Sequence, residues 1–192
     1  MERLFKQEKT MNKINEIINN TQGCFAIKAE RMYPNVLPSR TIKYKVSLTE
    51  HFVGAISAEL LRYDLWLKTK NIPHRVVRIH EAGEMYSNEY VDKWIEIAKL
   101  NPKWTFYTFT KRFADFRVKL EELNSLPNVF ITDSLFTGSV NYNKTGVVLN
   151  KEHKHLFICP ATTDKVKCSP EICNYCYKEE GSAKYGVAFR KH

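Results

Sequence analysis

Apolar side chains return at helical intervals after residue 50: Phe52, Ile56, Leu60 and Leu67 fall on one face, which predicts a long helix through about Lys70. Ser47-Leu48-Thr49-Glu50 has the spacing of a capping box and is expected to start it. Asn71-Ile72-Pro73 is expected to end it, because proline lacks a backbone donor and disfavours helical geometry in the residue before it. Arg75 to His80, RVVRIH, is short and β-branched and runs into a turn at Gly83, so it predicts a strand. Ser87 is placed to cap a second helix, in which Val91, Trp94, Ile95 and Ala98 share one face and Asn101-Pro102 forms the stop.

Trp104 to Thr110, WTFYTFT, is rich in aromatics and threonine and predicts a second strand. Phe116, Leu120 and Leu123 suggest a third helix from about Arg112 to Ser125, Pro127 breaks it, and Asn128 to Ser134 reads as a third strand. Strands separated by helices of this length form right-handed crossovers on a parallel sheet. The expected fold class is α/β, with a mostly parallel sheet or a partial (βα) barrel, since a complete eight-unit barrel needs a longer chain. Past Ser134, turn residues Gly138, Asn141, Asn143 and Gly146 precede three strand-like runs, VVLN, HLFIC and YGVAFR. One domain is expected: an N-terminal segment over 1–46, an α/β core over 47–150, and an appendage over 151–192 held to the core by the burial of Val187 and Phe189.

Composition supports a single sizeable core, with 192 residues of which 43% are hydrophobic. The first twenty residues are charged throughout and lack the apolar run of a signal peptide or membrane span, so a soluble cytoplasmic protein with no membrane attachment is expected. A formal charge of +9 favours polyanions, which makes nucleic acid a candidate partner alongside a host protein. The basic residues are spread along the chain, however, with only short groupings such as Lys111-Arg112 and Arg190-Lys191-His192, and a solvated basic surface accounts for them better than a dedicated nucleic-acid groove. No P-loop, dinucleotide glycine fingerprint, nucleophile elbow or histidine-rich zinc protease motif is present.

Four of the five cysteines fall within eighteen positions: Cys159, then eight residues, Cys168, four residues, Cys173, two residues, Cys176. In a reducing compartment such a cluster points to metal rather than to disulfides. Four thiolates complete the ligand set of either a 4Fe-4S cluster or tetrahedral zinc. Structural zinc sites usually pair their ligands twice, whereas here only Cys173 and Cys176 form a close pair; the spacing favours the cluster, with zinc as the alternative. Cys24 stands apart and reads as a small buried apolar residue.

A second candidate site follows from the fold class, because ligands of parallel α/β sheets bind beyond the carboxyl ends of the strands. His80, Glu81 and Glu84 are placed there after the first strand, Thr110 and Lys111 after the second, and Asp133 and Ser134 after the third. His80, Glu84 and Lys111 are candidate catalytic residues, with His80 able to serve as a base or a ligand. A buried histidine tying down a turn, and an ion pair between Glu84 and Lys111, are the structural alternatives.

The run RIHEAGEMYSNEYVDKWIEIAKLNPKWTFYTFTK resembles the phage gene product 88 domain family, whose members carry an R-x-H-x-x-G-D/E turn, a tryptophan-bearing helix and a strand ending FYxYTK. PNVFITDSLFTGSVNY, ICPAT, KC, CNYC and GVAFRKH resemble later landmarks of the family in the same order. The resemblance supports Arg78, His80, Gly83, Glu84, Lys111, Ser134, Asn141 and the four clustered cysteines, and implies a phage or mobile-element origin without implying a reaction. Relatives commonly carry several cysteines ahead of a CYA-x-K segment, a distant resemblance to radical S-adenosylmethionine architecture; this chain keeps only Cys24, in CFAIK. Three functions are therefore expected to compete: an iron-sulfur protein of structural, redox or sensing role, a zinc-stabilised basic nucleic-acid-binding protein, and an enzyme built around His80.

Overall fold

The computed structural model describes residues 25–134, 146–148, 156–163 and 166–189, and the chain divides into two compact units, Met1–Ser47 and Leu48–His192. The first unit contains two helices that the hydrophobic pattern did not predict, α1 (Phe25–Met32) and α2 (Val36–Leu48). Pro38 sits in the first turn of α2, where its missing N–H costs nothing. The Arg40 guanidinium joins the two helices by donating to the Ala26 carbonyl at 2.9 Å and to Glu30 Oε1 at 2.7 Å. Cys24 lies outside the described residues.

The expected capping box does not form. Ser47 falls in the last turn of α2, and its hydroxyl donates to the Tyr44 carbonyl at 2.7 Å. The long helix α3 (Phe52–Thr69) starts after His51, with no side-chain cap. Its C-terminus ends in a Schellman arrangement: Asn71 takes φ 55°, its N–H reaches the Lys68 carbonyl at 3.1 Å, and the Ile72 N–H reaches that of Leu67 at 3.0 Å. Pro73 then prevents continuation.

The sheet follows the predicted order. β1 (Val76–Arg78), β2 (Thr105–Thr110) and β3 (Val129–Asp133) pair in parallel in the order β1-β2-β3, with Arg78 opposite Tyr107 and Phe109 opposite Thr132. Between them run α4 (Asn88–Leu100) and α5 (Arg117–Asn124). Ser87 caps α4 by accepting the Tyr90 N–H at 3.2 Å, and Val91, Trp94, Ile95 and Ala98 are all buried. α5 begins about a turn later than the pattern suggested, because 112–116 are taken up by a turn in which Arg112 pairs with Asp115 and its N–H bonds Thr110 Oγ1 at 3.0 Å.

Side chains alternate across β2 and β3, and each face has its own partner. Phe106, Val129 and Ile131 join the main core with Leu60 and Leu67 of α3, the buried face of α4, and Leu120 and Leu123 of α5. The opposite face carries Tyr107, Phe109 and Thr132 and is covered by the segment after 155. Tyr107 lies 5.4 Å from Tyr177, Phe109 5.5 Å from Phe189, and Thr132 Oγ1 2.8 Å from Ser182 Oγ. β5 (Val187–Phe189) of that segment pairs in parallel with β4 (Gly146–Val148), and the segment also holds the single turns α6 (Pro160–Thr163) and α7 (Ser182–Tyr185). The run HLFIC contributes only a bridge, Ile158 to Ala188. Turn residues Gly138, Asn141 and Asn143 fall outside the described residues.

Phe106 is fully buried at the centre of β2. Phe106→Ala is expected to lower the unfolding free energy by about 3–5 kcal/mol, the usual cost of deleting a buried phenyl ring, read by urea denaturation with an unchanged slope.

Candidate metal centre

The cysteine segment is fixed to the sheet from both ends. Cys159 donates its N–H to the Ala188 carbonyl at 2.9 Å and Ala188 donates to Phe157 at 2.8 Å, which locks Cys159 beside β5. Cys173 follows a turn over Ser169-Pro170, its N–H bonding the Ser169 carbonyl at 3.0 Å, and its own carbonyl accepts the Tyr177 hydroxyl at 3.0 Å. Cys176 lies in the 3-10 turn Tyr175–Tyr177, against the sheet. All four thiols are free, and all four line one cleft together with Tyr107, Tyr177 and Val187. The sequence reading identified the sulfurs and missed these walls, although the apolar character of both faces of WTFYTFT signalled a strand covered on both sides.

The thiols differ in exposure: Cys168 is exposed, the other three are partly buried. Burial pushes the Cys176 thiol up to about 12, the neighbouring Cys159, Cys168 and Cys173 push in the same direction, and a hydrogen bond from Ser182 opposes them. Cys159 is also raised by burial, against backbone N–H groups of Ala161 and Thr162 that favour its thiolate. Burial pushes Tyr107 and Tyr177 each up to about 12; Arg78 opposes the rise at Tyr107, Tyr107 adds to it at Tyr177, and cysteines of the cleft add to both, so both phenols stay protonated and able to donate. Among the described residues no group of three or more His, Cys, Asp or Glu side chains is placed to hold a metal ion.

A tight backbone approach builds this geometry. A Cβ at Gly181 would stand 2.0 Å from the Tyr175 carbonyl oxygen and 2.8 Å from that of Lys178, so only glycine lets α7 press against the turn that carries Cys176.

The strand-end residues are arranged as two separate structural ties. His80 Nε2 meets the Tyr90 hydroxyl at 3.1 Å, and its buried Nδ1 has no partner. Burial, and then the charge of Arg78, pull His80 down to about 4, so the imidazole is neutral and a weak base at neutral pH. Glu84 accepts the Thr110 hydroxyl at 2.7 Å and the main-chain N–H of Lys111 at 3.0 Å, which joins the loops after β1 and β2. Asp133 is raised by burial and by Glu84, against the pull of Arg117, and the Ser134 N–H donates to the Thr110 carbonyl at 2.6 Å. Among the described residues no hydrogen bond joins His80 to Glu84.

The molecule is thus an α/β protein with a small parallel sheet and four free thiols around one cleft. The chain belongs to the gene product 88 family, a family of phage gene products, whose model matches residues 20–165. The matched stretch contains Cys159 and stops short of Cys168, Cys173 and Cys176. No curated protein and no solved structure matches the chain. Among the described residues no helix is long and apolar enough to cross a membrane.

Because the folded His80 binds its proton only near pH 4 while the unfolded one binds near 6.5, its contribution to stability is complete above 6.5 and lost as pH falls toward 4. The expected loss is up to about 3 kcal/mol, measured by urea denaturation at the two pH values; His80→Gln is expected to flatten this component.

Proposed function

We propose that this phage protein binds one 4Fe-4S cluster through Cys159, Cys168, Cys173 and Cys176, in a structural, redox or sensing role. The observation that carries the reading is the gathering of all four thiols around a single cleft walled by Tyr107, Tyr177 and Val187. A cubane takes one thiolate at each of four iron corners, so its ligands surround a volume instead of meeting at a point. Tetrahedral zinc, with Zn–S near 2.3 Å, needs its sulfurs about 3.8 Å apart. Four thiols around one cleft match the ligand count of either group, and the sequence spacing, with Cys173 and Cys176 as its one close pair, favours the cluster.

The chain's own residues supply the rest of the chemistry. Raised thiols must lose their protons to ligate, so metal uptake releases protons and weakens as pH falls. Tyr107 and Tyr177, held protonated, face the thiolates as neutral groups and add no negative charge to an anionic centre.

Full-length protein purified and reconstituted without oxygen is expected to be brown, to hold about four irons per chain, and to show absorbance near ~400 nm that dithionite bleaches. Cys176→Ala is expected to lose most of the iron. Stoichiometric zinc with no iron after reconstitution would overturn the reading.

A further inference from the structure

Helix α3 is apolar on two opposite sides. Phe52, Ile56, Leu60 and Leu67 face the core, while Gly54, Ala58, Leu61 and Leu65, spaced four, three and four residues apart, form a second stripe on the far side. A helix that is apolar all round is normally buried all round. Yet Leu61 is 63% exposed and Leu65 56% exposed, and Gly54 and Ala58 are exposed beside them. Packing within the chain therefore does not account for this stripe. Gly54 sits in the first turn of α3, where glycine is a poor helix former, and a Cβ there would meet nothing within 4 Å of its own chain. The glycine serves no close approach inside one molecule and leaves a hollow on the outer face.

We propose that this face of α3 is a homodimer interface, in which the α3 of a second copy packs antiparallel across a two-fold axis. The stripe is self-complementary in that direction, as an interface between identical surfaces must be. Its small residues lie in the N-terminal half and its leucines in the C-terminal half. Antiparallel pairing thus sets Leu65 against Gly54 of the second copy and Leu61 against Ala58, one large side chain on one small at each layer. Parallel pairing would set glycine on glycine and leave a gap. Charge agrees with this choice. Glu50, in the turn before α3, and Lys68, near its end, are eighteen positions apart, close to five helical turns, so they flank the stripe on the same side at opposite ends. The two-fold axis brings each Lys68 beside the Glu50 of the other copy. Asp64 pairs with Lys68 at 2.9 Å but also holds Arg75, which leaves that end of α3 positive, whereas the exposed Glu50 carboxylate meets the His51 ring at 3.7 Å. This interface goes beyond the cluster reading and does not rest on it.

The test is sedimentation equilibrium of the full chain, kept reduced so that no disulfide joins two copies. The wild type is expected to be a dimer with a micromolar dissociation constant. Leu61→Gln/Leu65→Gln replaces two exposed side chains and should give a monomer with an unchanged circular dichroism spectrum. Gly54→Leu removes a poor helix former and fills only the outer hollow, so it should fold at least as well, yet weaken the dimer at least about tenfold. Every contact occurs twice across a two-fold axis, so Lys68→Glu alone and Glu50→Lys alone should each weaken association by about tenfold at low salt. The combined variant Glu50→Lys/Lys68→Glu should recover most of that loss. A wild-type chain that is monomeric at ~100 µM overturns the inference. So does a dimer that survives the leucine and Gly54 variants, which would use another surface, or one lost with the leucines but indifferent to the charge exchange, which would not be antiparallel.

Discussion

The structure depends on covering both faces of one short strand. β2 is the middle strand of three in a parallel sheet, and a parallel sheet needs protection on each side because its strands are apolar on both. Helices α3, α4 and α5 shield the face of Phe106. The face of Tyr107 and Phe109 is left to a segment with almost no regular structure, which meets it through Tyr177 and Phe189. The cysteines sit in that cover. Their cleft is thus part of the second face of the core, and Tyr107 belongs at once to the sheet and to the wall of the site.

This arrangement explains why the Cys159 and Cys176 thiols are raised. A cleft closed by aromatic rings on a buried sheet is a poor solvent for their negative charges, and the neighbouring cysteines push in the same direction. A cation bound there would relieve both penalties. The few compensating dipoles are local: the N–H groups of Ala161 and Thr162 at Cys159 and the hydroxyl of Ser182 at Cys176. At the other candidate site the charges are already answered. Glu84 commits its oxygens to the loops after β1 and β2, and His80 is neutral against Tyr90. These ties hold the strand ends in place and leave little free chemistry there.

Much of the α/β layer was legible because period and punctuation agreed: Ser87 before the apolar face of α4, and Pro127 before β3. Legibility failed where two local signals competed. Ser47 and Glu50 have capping-box spacing, yet Ser47 is the end of α2, and its hydroxyl bonds back to Tyr44 in place of capping α3. α1 and α2 lie in the N-terminal segment for which no apolar period was read, and Pro38 fits the first turn of α2, where its missing N–H leaves no bond unmade. The four sulfurs were visible from spacing alone. Their surroundings were not, since Tyr107, Thr132 and Ser182 come together only through sheet register and a glycine contact, at sequence separations that no local pattern encodes.

The hydroxyl contact between Thr132 and Ser182 spans fifty positions in sequence, and this separation bears on the order of assembly. During synthesis the three strands and their helices emerge well before the segment that covers their second face. Until that segment arrives, Tyr107 and Phe109 remain open to water or to other chains. Long-range closure of this kind is slow relative to helix formation. The nascent protein therefore passes through a half-clad sheet, and the covering of its second face and the gathering of the four thiols are the same event.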